Sequence, residues 1–165
     1  AKSVKQKLPN TKFLVAGQVG ADNVTALHPD QLEQWSETGL INYLGNIEDV
    51  YSELADADCV VLPSYREGLS RSLLEAAAVG RPIVTTDVPG CADLVDDEIN
   101  GFLCEARNVQ SLERALLRFI YLSPSEKESM GCAGRRKIQT QFSESRVVKI
   151  YMGAINGVLG NLRAP

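Results

Sequence analysis

Residues 59–86 read Cys59-Val60-Val61-Leu62-Pro63-Ser64-Tyr65-Arg66-Glu67-Gly68-Leu69-Ser70-Arg71-Ser72-Leu73-Leu74-Glu75-Ala76-Ala77-Ala78-Val79-Gly80-Arg81-Pro82-Ile83-Val84-Thr85-Thr86. Cys59 to Leu62 is a continuous apolar run stopped by Pro63, the pattern of a strand covered on both faces in a parallel sheet. Ser64 to Leu69 is a loop. A helix over about Ser70 to Val79 follows, and Gly80 supplies the left-handed residue on which helices often end. Pro82 to Thr86 is the next strand.

The same alternation runs outward in both directions. Upstream, Lys12 to Gly17 is a strand, Pro29 to Thr38 a helix with proline at its start, Leu40 to Leu44 a strand, and Glu48 to Asp56 a helix. Downstream, Pro89-Gly90 marks a turn and Phe102-Leu103-Cys104 a short strand after Asn100-Gly101. From Val109 the pattern is helical to the end, with breaks at Ser123-Pro124 and Phe142-Ser143. Strands alternating with helices over short connections predict an α/β fold with a Rossmann-like, doubly wound parallel sheet. Ala1 to Lys7 reads as the last two turns of a helix with no strand before it, so the expectation is a single domain over 1–165 that is truncated at its N-terminus.

Composition narrows the function. The chain has 165 residues, 44% hydrophobic and 23% charged, with a net charge of −4. That is a globular composition, and the acidic balance speaks against a nucleic-acid partner. No apolar run approaches the ~20 residues that span a bilayer, and no signal peptide opens the chain. The expected location is cytoplasmic, with peripheral association at the inner face of the cell membrane as an option for the whole protein. Cys59, Cys91, Cys104 and Cys132 form no C-x-x-C pair, so they read as reduced, partly buried thiols rather than zinc ligands. His28, the only histidine, sits beside Pro29 at a helix start, a poor place for the base of a Ser-His-Asp hydrolase.

The chemistry concentrates after Pro63. A loop with Gly68 running into a helix start aims the N–H groups of Gly68, Leu69 and Ser70 outward, beyond the carboxyl end of a strand, where open α/β sheets bind ligands. A helix N-terminus carries partial positive charge and receives phosphate. Glu67 and Glu75 frame this mouth. Glu75 stands in a helix that is apolar on most sides and reads as buried, so its carboxylate needs a partner. An arginine, a backbone N–H or a pair of vicinal hydroxyls would serve.

These residues carry a resemblance. Glu67 and Glu75 form the E-x7-E pattern of retaining glycosyltransferases with the two-Rossmann-domain (GT-B) architecture, of the glycosyl transferases group 1, family 4-like kind. Pro63-Ser64 upstream, Leu-Glu-Ala-Ala-Ala through the helix, Gly80-Arg-Pro-Ile-Val-Thr-Thr after it, and the later Val88-Pro89-Gly90 and Asn100-Gly101-Phe102-Leu103 match as well. The similarity runs from Phe13 to the final helix.

The resemblance implies a nucleotide-sugar donor-binding domain, one half of a GT-B enzyme. Glu75 would grip the ribose hydroxyls, Glu67, as the catalytic residue, the hydroxyls of the donor sugar, and the amides of Gly68, Leu69 and Ser70 the diphosphate. The turn near Gly45-Asn46-Ile47 would put Ile47 against the nucleobase. Ser70 departs from the Gly or Pro often found at its position. The implied donor is UDP-linked and the acceptor a glycan or lipid-linked molecule, as in bacterial capsule and polysaccharide biosynthesis. No metal or other cofactor is implied. An acceptor-binding domain, and an Arg and Lys that hold the diphosphate, would lie before Ala1, and the helix over about 143–159 would cross to that domain. The chain by itself is then expected to be inactive. Alternatives are a sugar-nucleotide epimerase, which would need further catalytic carboxylates and histidines, and a non-catalytic nucleotide-binding module.

Other motifs carry blander readings. Asp56-Ala57-Asp58 spells a metal motif of a different glycosyltransferase architecture but reads here as a helix end and strand start. Asp96-Asp97-Glu98 reads as an acidic turn without EF-hand spacing. Gly17-Gln18-Val19-Gly20 lacks the third glycine of a dinucleotide fingerprint. Arg135-Arg136-Lys137 reads as a solvated face, with anionic lipid the minor option.

Overall fold

The computed structural model describes residues 1–19 and 27–162, and side chains through 158. Gly20 lies outside the described residues, so the Gly17–Gly20 motif is only partly covered. The chain divides into two compact units, Ala1–Glu53 and Leu54–Pro165.

The first unit contains α1 (Lys2–Lys7), β1 (Leu14–Ala16), α2 (Pro29–Glu37) and β2 (Asn42–Gly45), and leads into α3 (Val50–Asp56). β1 and β2 pair in parallel, with a register shift between Val15 and Ala16. Among the described residues, Val4, Leu32 and Ile41 are its buried apolar side chains. His28 caps the start of α2, where its N–H donates to Gln31 at 3.4 Å. That local role fits the reading of its position beside Pro29. The first turn of α3 is held by Asp49, whose carboxylate accepts from the Tyr51 N–H at 3.1 Å and the Ser52 hydroxyl at 2.8 Å. The Ser52 hydrogen bonds hold the Asp49 carboxyl below the usual carboxylate range.

The second unit holds β3 (Val60–Leu62), α4 (Arg71–Ala78), β4 (Ile83–Thr86), a 3-10 turn (Ala92–Leu94), β5 (Gly101–Cys104), α5 (Val109–Ile120), α6 (Pro124–Gln141) and α7 (Glu144–Leu162). Its sheet has the order β3-β4-β5, all parallel. Parallel strands joined through helices bear out the α/β reading, and the breaks at Ser123-Pro124 and Phe142-Ser143 fall where α6 begins and ends. α4 packs on β3, β4 and α6, and α5 on β4 and β5. Leu73, Ala76, Ala77, Ile83 and Leu94 form the centre of the core. Burying such side chains supplies ~25 cal/mol per Å² of apolar surface, the main favourable contribution to folding.

One expectation changes. β4 is buried along its whole length, whereas β3 is half-buried and Val61 is exposed. β3 and β5 are both edges of this three-stranded sheet, yet β5, on which α5 packs, is largely buried, so the exposure of Val61 reflects the cover over its face and not its edge position.

The acidic turn is structural. Asp96 pairs with Lys137 at 2.9 Å, Asp97 accepts the Leu103 N–H at 2.9 Å, and Glu98 pairs with Arg118 at 2.5 Å. Asn100, buried beneath them, accepts the Asp96 N–H at 2.6 Å and donates to the Leu94 carbonyl at 2.9 Å. Lys137 is thus drawn out of the basic cluster into an ion pair, leaving Arg135 and Arg136 exposed. Among the described residues no group of carboxylates, histidines and cysteines is arranged to hold a metal, and no helix is long and apolar enough to cross a membrane.

Candidate functional site

The site is assembled where β3 ends. Two threonines of β4 reach across to the chain leaving β3: Thr85 Oγ1 donates to the Leu62 carbonyl at 2.7 Å, and Thr86 Oγ1 donates to the Ser64 carbonyl. Both threonines are buried, and their hydroxyls find acceptors in the backbone at and just beyond the end of β3. Ser64 then donates its own hydroxyl to Glu67 Oε1 at 2.7 Å. The first glutamate of the pair is therefore oriented by a relay that starts in the core.

A second clamp comes from the turn after β4. Gly90 has φ +83, and a Cβ there would lie 1.8 Å from the Gly68 carbonyl oxygen. Only glycine fits this backbone shape and this approach. The Ser70 N–H donates to the Gly90 carbonyl at 3.3 Å, and the Gly90 N–H donates to Asp93 at 2.9 Å. Turn 88–90 and loop 63–70 therefore form one hydrogen-bonded surface.

α4 opens from this surface. Ser70 is its N-cap: its Oγ accepts from the Leu73 N–H at 3.4 Å, and the residue is buried. The helix closes in a Schellman motif, with Gly80 at φ +76 donating to the Ala77 carbonyl at 3.0 Å and Arg81 donating to the Ala76 carbonyl at 2.9 Å. Among the described residues, the N–H groups of Gly68, Leu69, Arg71 and Ser72 make no hydrogen bond. These donors are what the mouth of the helix offers to an anion.

Two sequence expectations need correction. Ser70 was expected to present its amide outward, but that N–H is taken by Gly90 and its hydroxyl by the cap. Glu75 was expected to be buried, but α4 is amphipathic: Leu73, Ala76 and Ala77 face the core while Glu75 lies on a half-exposed flank. Its carboxylate meets Arg71 at 3.4 Å, with the two side chains 44% and 89% exposed. Such an exposed pair holds with no more than ~1 kcal/mol, so a ligand can displace the arginine at little cost. Of the partners that the sequence leaves open for Glu75, the structure shows the arginine.

Glu67, Gly68, Leu69, Ser70 and Glu75 are thus gathered on one loop and helix. Ile47 is half-buried after β2 in the first unit. Ser64, Thr86 and Gly90 complete the second-unit surface, and the sequence reading assigned them no part in it. The Thr85-Thr86 pair, two hydroxyls at the end of an otherwise apolar strand, was the available signal.

Residues 1–121 match the sequence profile of the family described as glycosyl transferases group 1. The chain belongs to that family. This group 1 glycosyltransferase chain is 28% identical over 130 residues to the N,N'-diacetylbacillosaminyl-diphospho-undecaprenol alpha-1,3-N-acetylgalactosaminyltransferase of Campylobacter jejuni, covering 78% of this chain and 34% of that protein. It is 25% identical over 142 residues to the capsular polysaccharide biosynthesis glycosyltransferase CapM of Staphylococcus aureus, covering 86% of this chain and 37% of the relative. The chain therefore spans about a third of the length of these curated relatives. In fold, it superposes on S. aureus TarM, solved in complex with UDP, with a TM-score of 0.80 at 22% identity, over 94% of this chain and 31% of that one.

Proposed function

We propose that this chain is the donor-binding domain of a retaining glycosyltransferase that moves a sugar from a UDP-linked donor to a glycan or lipid-linked acceptor in bacterial polysaccharide biosynthesis. The observation that carries this reading is the mouth of α4, where unbonded amides at Gly68, Leu69, Arg71 and Ser72 lie between Glu67 and Glu75. Amides fixed in advance stabilise negative charge as it develops on a departing diphosphate. In this reading Gly68 and Leu69 receive the diphosphate from the loop. Glu75 exchanges Arg71 for the ribose hydroxyls, and the freed guanidinium is then available to a phosphate oxygen. Glu67, oriented by Ser64, accepts hydrogen bonds from the donor sugar. Ile47 is assigned to the nucleobase. The acceptor belongs to a further domain, the protein works in the cytoplasm or at the inner membrane face, and no metal takes part.

The test is donor binding and donor hydrolysis by the intact protein, with Glu67→Ala and Glu75→Ala compared to wild type, each with and without chelator. Glu75→Ala is expected to weaken UDP binding by about 10- to 150-fold, the effect of one charged hydrogen bond of about 1.5–3 kcal/mol. Glu67→Ala is expected to spare UDP binding and lower turnover. Chelator is expected to change neither. Unchanged affinity and turnover in both variants would defeat the assignment.

A further inference from the structure

The turn that follows β5 contains a residue in a conformation its side chain does not favour. Arg107 has φ 60, in the left-handed region that is normal for glycine and uncommon for a long side chain. It is the third residue of the turn Glu105-Ala106-Arg107-Asn108, closed by the Asn108 N–H on the Glu105 carbonyl at 3.4 Å. A turn with positive φ at that place selects glycine or asparagine. The turn is braced on both sides. Asn108 caps α5 by accepting from the Ser111 N–H at 2.9 Å, its amide donates to the Glu105 carboxylate at 2.6 Å, and the Glu105 N–H donates to the Ser111 hydroxyl at 3.1 Å. The backbone there is fixed by its neighbours, so the arginine is not what makes the turn.

The side chain reaches the site. The Arg107 guanidinium lies over the Tyr65 ring, 5.1 Å from its centroid. Tyr65 belongs to loop 63–70, two residues before Glu67, and is exposed. Loop 63–70 is tied to β4 through Ser64 and to turn 88–90 through Gly68 and Ser70. Arg107 is the link between that loop and the β5 side of the sheet. Among the described residues Arg107 makes no ion pair, so the ring is the contact that orients it.

Resting on the donor-site reading above, we propose that Arg107 is a positioning residue for nucleotide-sugar binding. It acts through Tyr65, holding the stretch that presents Glu67 and the Gly68 and Leu69 amides in the shape a diphosphate requires. Loop 63–70 then has three anchors: Thr86 at the end of β4, the turn that follows β4, and Arg107 in the turn that follows β5. A turn built for glycine carries an arginine because the arginine extends to the donor loop.

The experiment is calorimetric titration of the intact protein with UDP, with ADP and GDP run beside it and the tightest binder carried forward, together with melting curves. The variants are Arg107→Gly, Arg107→Lys, Tyr65→Ala and the double variant Arg107→Gly with Tyr65→Ala. Arg107→Gly is expected to lower affinity about 2- to 5-fold, the range of an exposed cation–π contact, with a melting temperature equal to or above wild type because glycine suits the turn. Arg107→Lys keeps a cation over the ring and is expected to stay within about 2-fold of wild type. Tyr65→Ala is expected to match Arg107→Gly, and the double variant to bind no more weakly than either single one.

Wild-type affinity in Arg107→Gly overturns the proposal. So does a double variant whose loss is the product of the two single losses, because Arg107 would then act without Tyr65. An affinity loss that follows a lowered melting temperature overturns it as well. If Glu75→Ala loses nucleotide while Arg107→Gly does not, this inference fails and the donor-site reading stands. A wild-type protein that takes up none of the nucleotides overturns both.

Discussion

The hydroxyl of Thr86 donates to the Ser64 carbonyl, and the Ser64 hydroxyl donates to Glu67 at 2.7 Å. Thr86 never needs to touch a ligand to affect one, because the group it orients leads to the carboxylate. Thr86→Val preserves the shape and removes the donor, leaving a carbonyl without its buried partner, at a cost of about 1–3 kcal/mol. The expected result is a lower melting temperature together with a fall in donor turnover larger than the fall in UDP affinity, read by paired melting and kinetic measurements. The relay was hidden at the sequence level because Ser64 and Thr86 are 22 positions apart, and only the parallel pairing of β3 with β4 brings them together. That Glu67 and Glu75 stand on one loop and the helix it opens was legible because their spacing and flanks are contiguous in the chain. The environment of Glu75 was not. Apolar neighbours in sequence suggested burial, but the face of α4 turned to the core is the one bearing Leu73, Ala76 and Ala77, and position 75 falls beside it.

At the scale of elements, α4 has both its ends written in its sequence. Ser70 is followed three residues later by the Leu73 N–H it caps at 3.4 Å, and Gly80 supplies the positive φ of the closing motif. Ser70→Ala removes the cap and is expected to cost about 0.5–2 kcal/mol, seen as a shift in the denaturation midpoint without a change in its slope. Because the Ser70 N–H remains on the Gly90 carbonyl in that variant, the loop is expected to keep its approach to turn 88–90. The strands were legible to within about two residues. The exposure of β3 was not, since a continuous apolar run records what the strand could bury and the elements packed on the sheet decide what covers it. The 3-10 turn at Ala92–Leu94 left no periodic signal, being shorter than one amphipathic repeat.

At the scale of the whole molecule, the thiols report on the packing. The Cys59 thiol is pushed by burial from its ordinary 9.0 up to about 12, and Cys91 and Cys104 are buried, whereas Cys132 is exposed. The reading of all four as partly buried therefore holds for Cys59 and changes for the other three. In the folded protein a maleimide reagent near neutral pH is expected to label Cys132 first and to reach the others only after denaturation, as mass spectrometry of timed samples would show. The sign of the pH effect follows from the direction of the shift. The unfolded chain loses the Cys59 proton more readily than the folded one, so the contribution to stability is complete below about pH 9 and declines as pH rises toward 12. A set of denaturation curves over that range, compared with Cys59→Ala, measures it.

The central claim is that a nucleotide diphosphate seats on the amides at the mouth of α4, between Glu67 and Glu75. Hydrogen exchange followed by mass spectrometry, on the intact protein with and without saturating UDP, reads those amides directly. The account predicts slowed exchange in peptides covering residues 64–75, with a smaller effect over turn 88–90 through the Ser70 bond to Gly90. Bound UDP that leaves exchange over 64–75 unchanged while protecting another segment would contradict it.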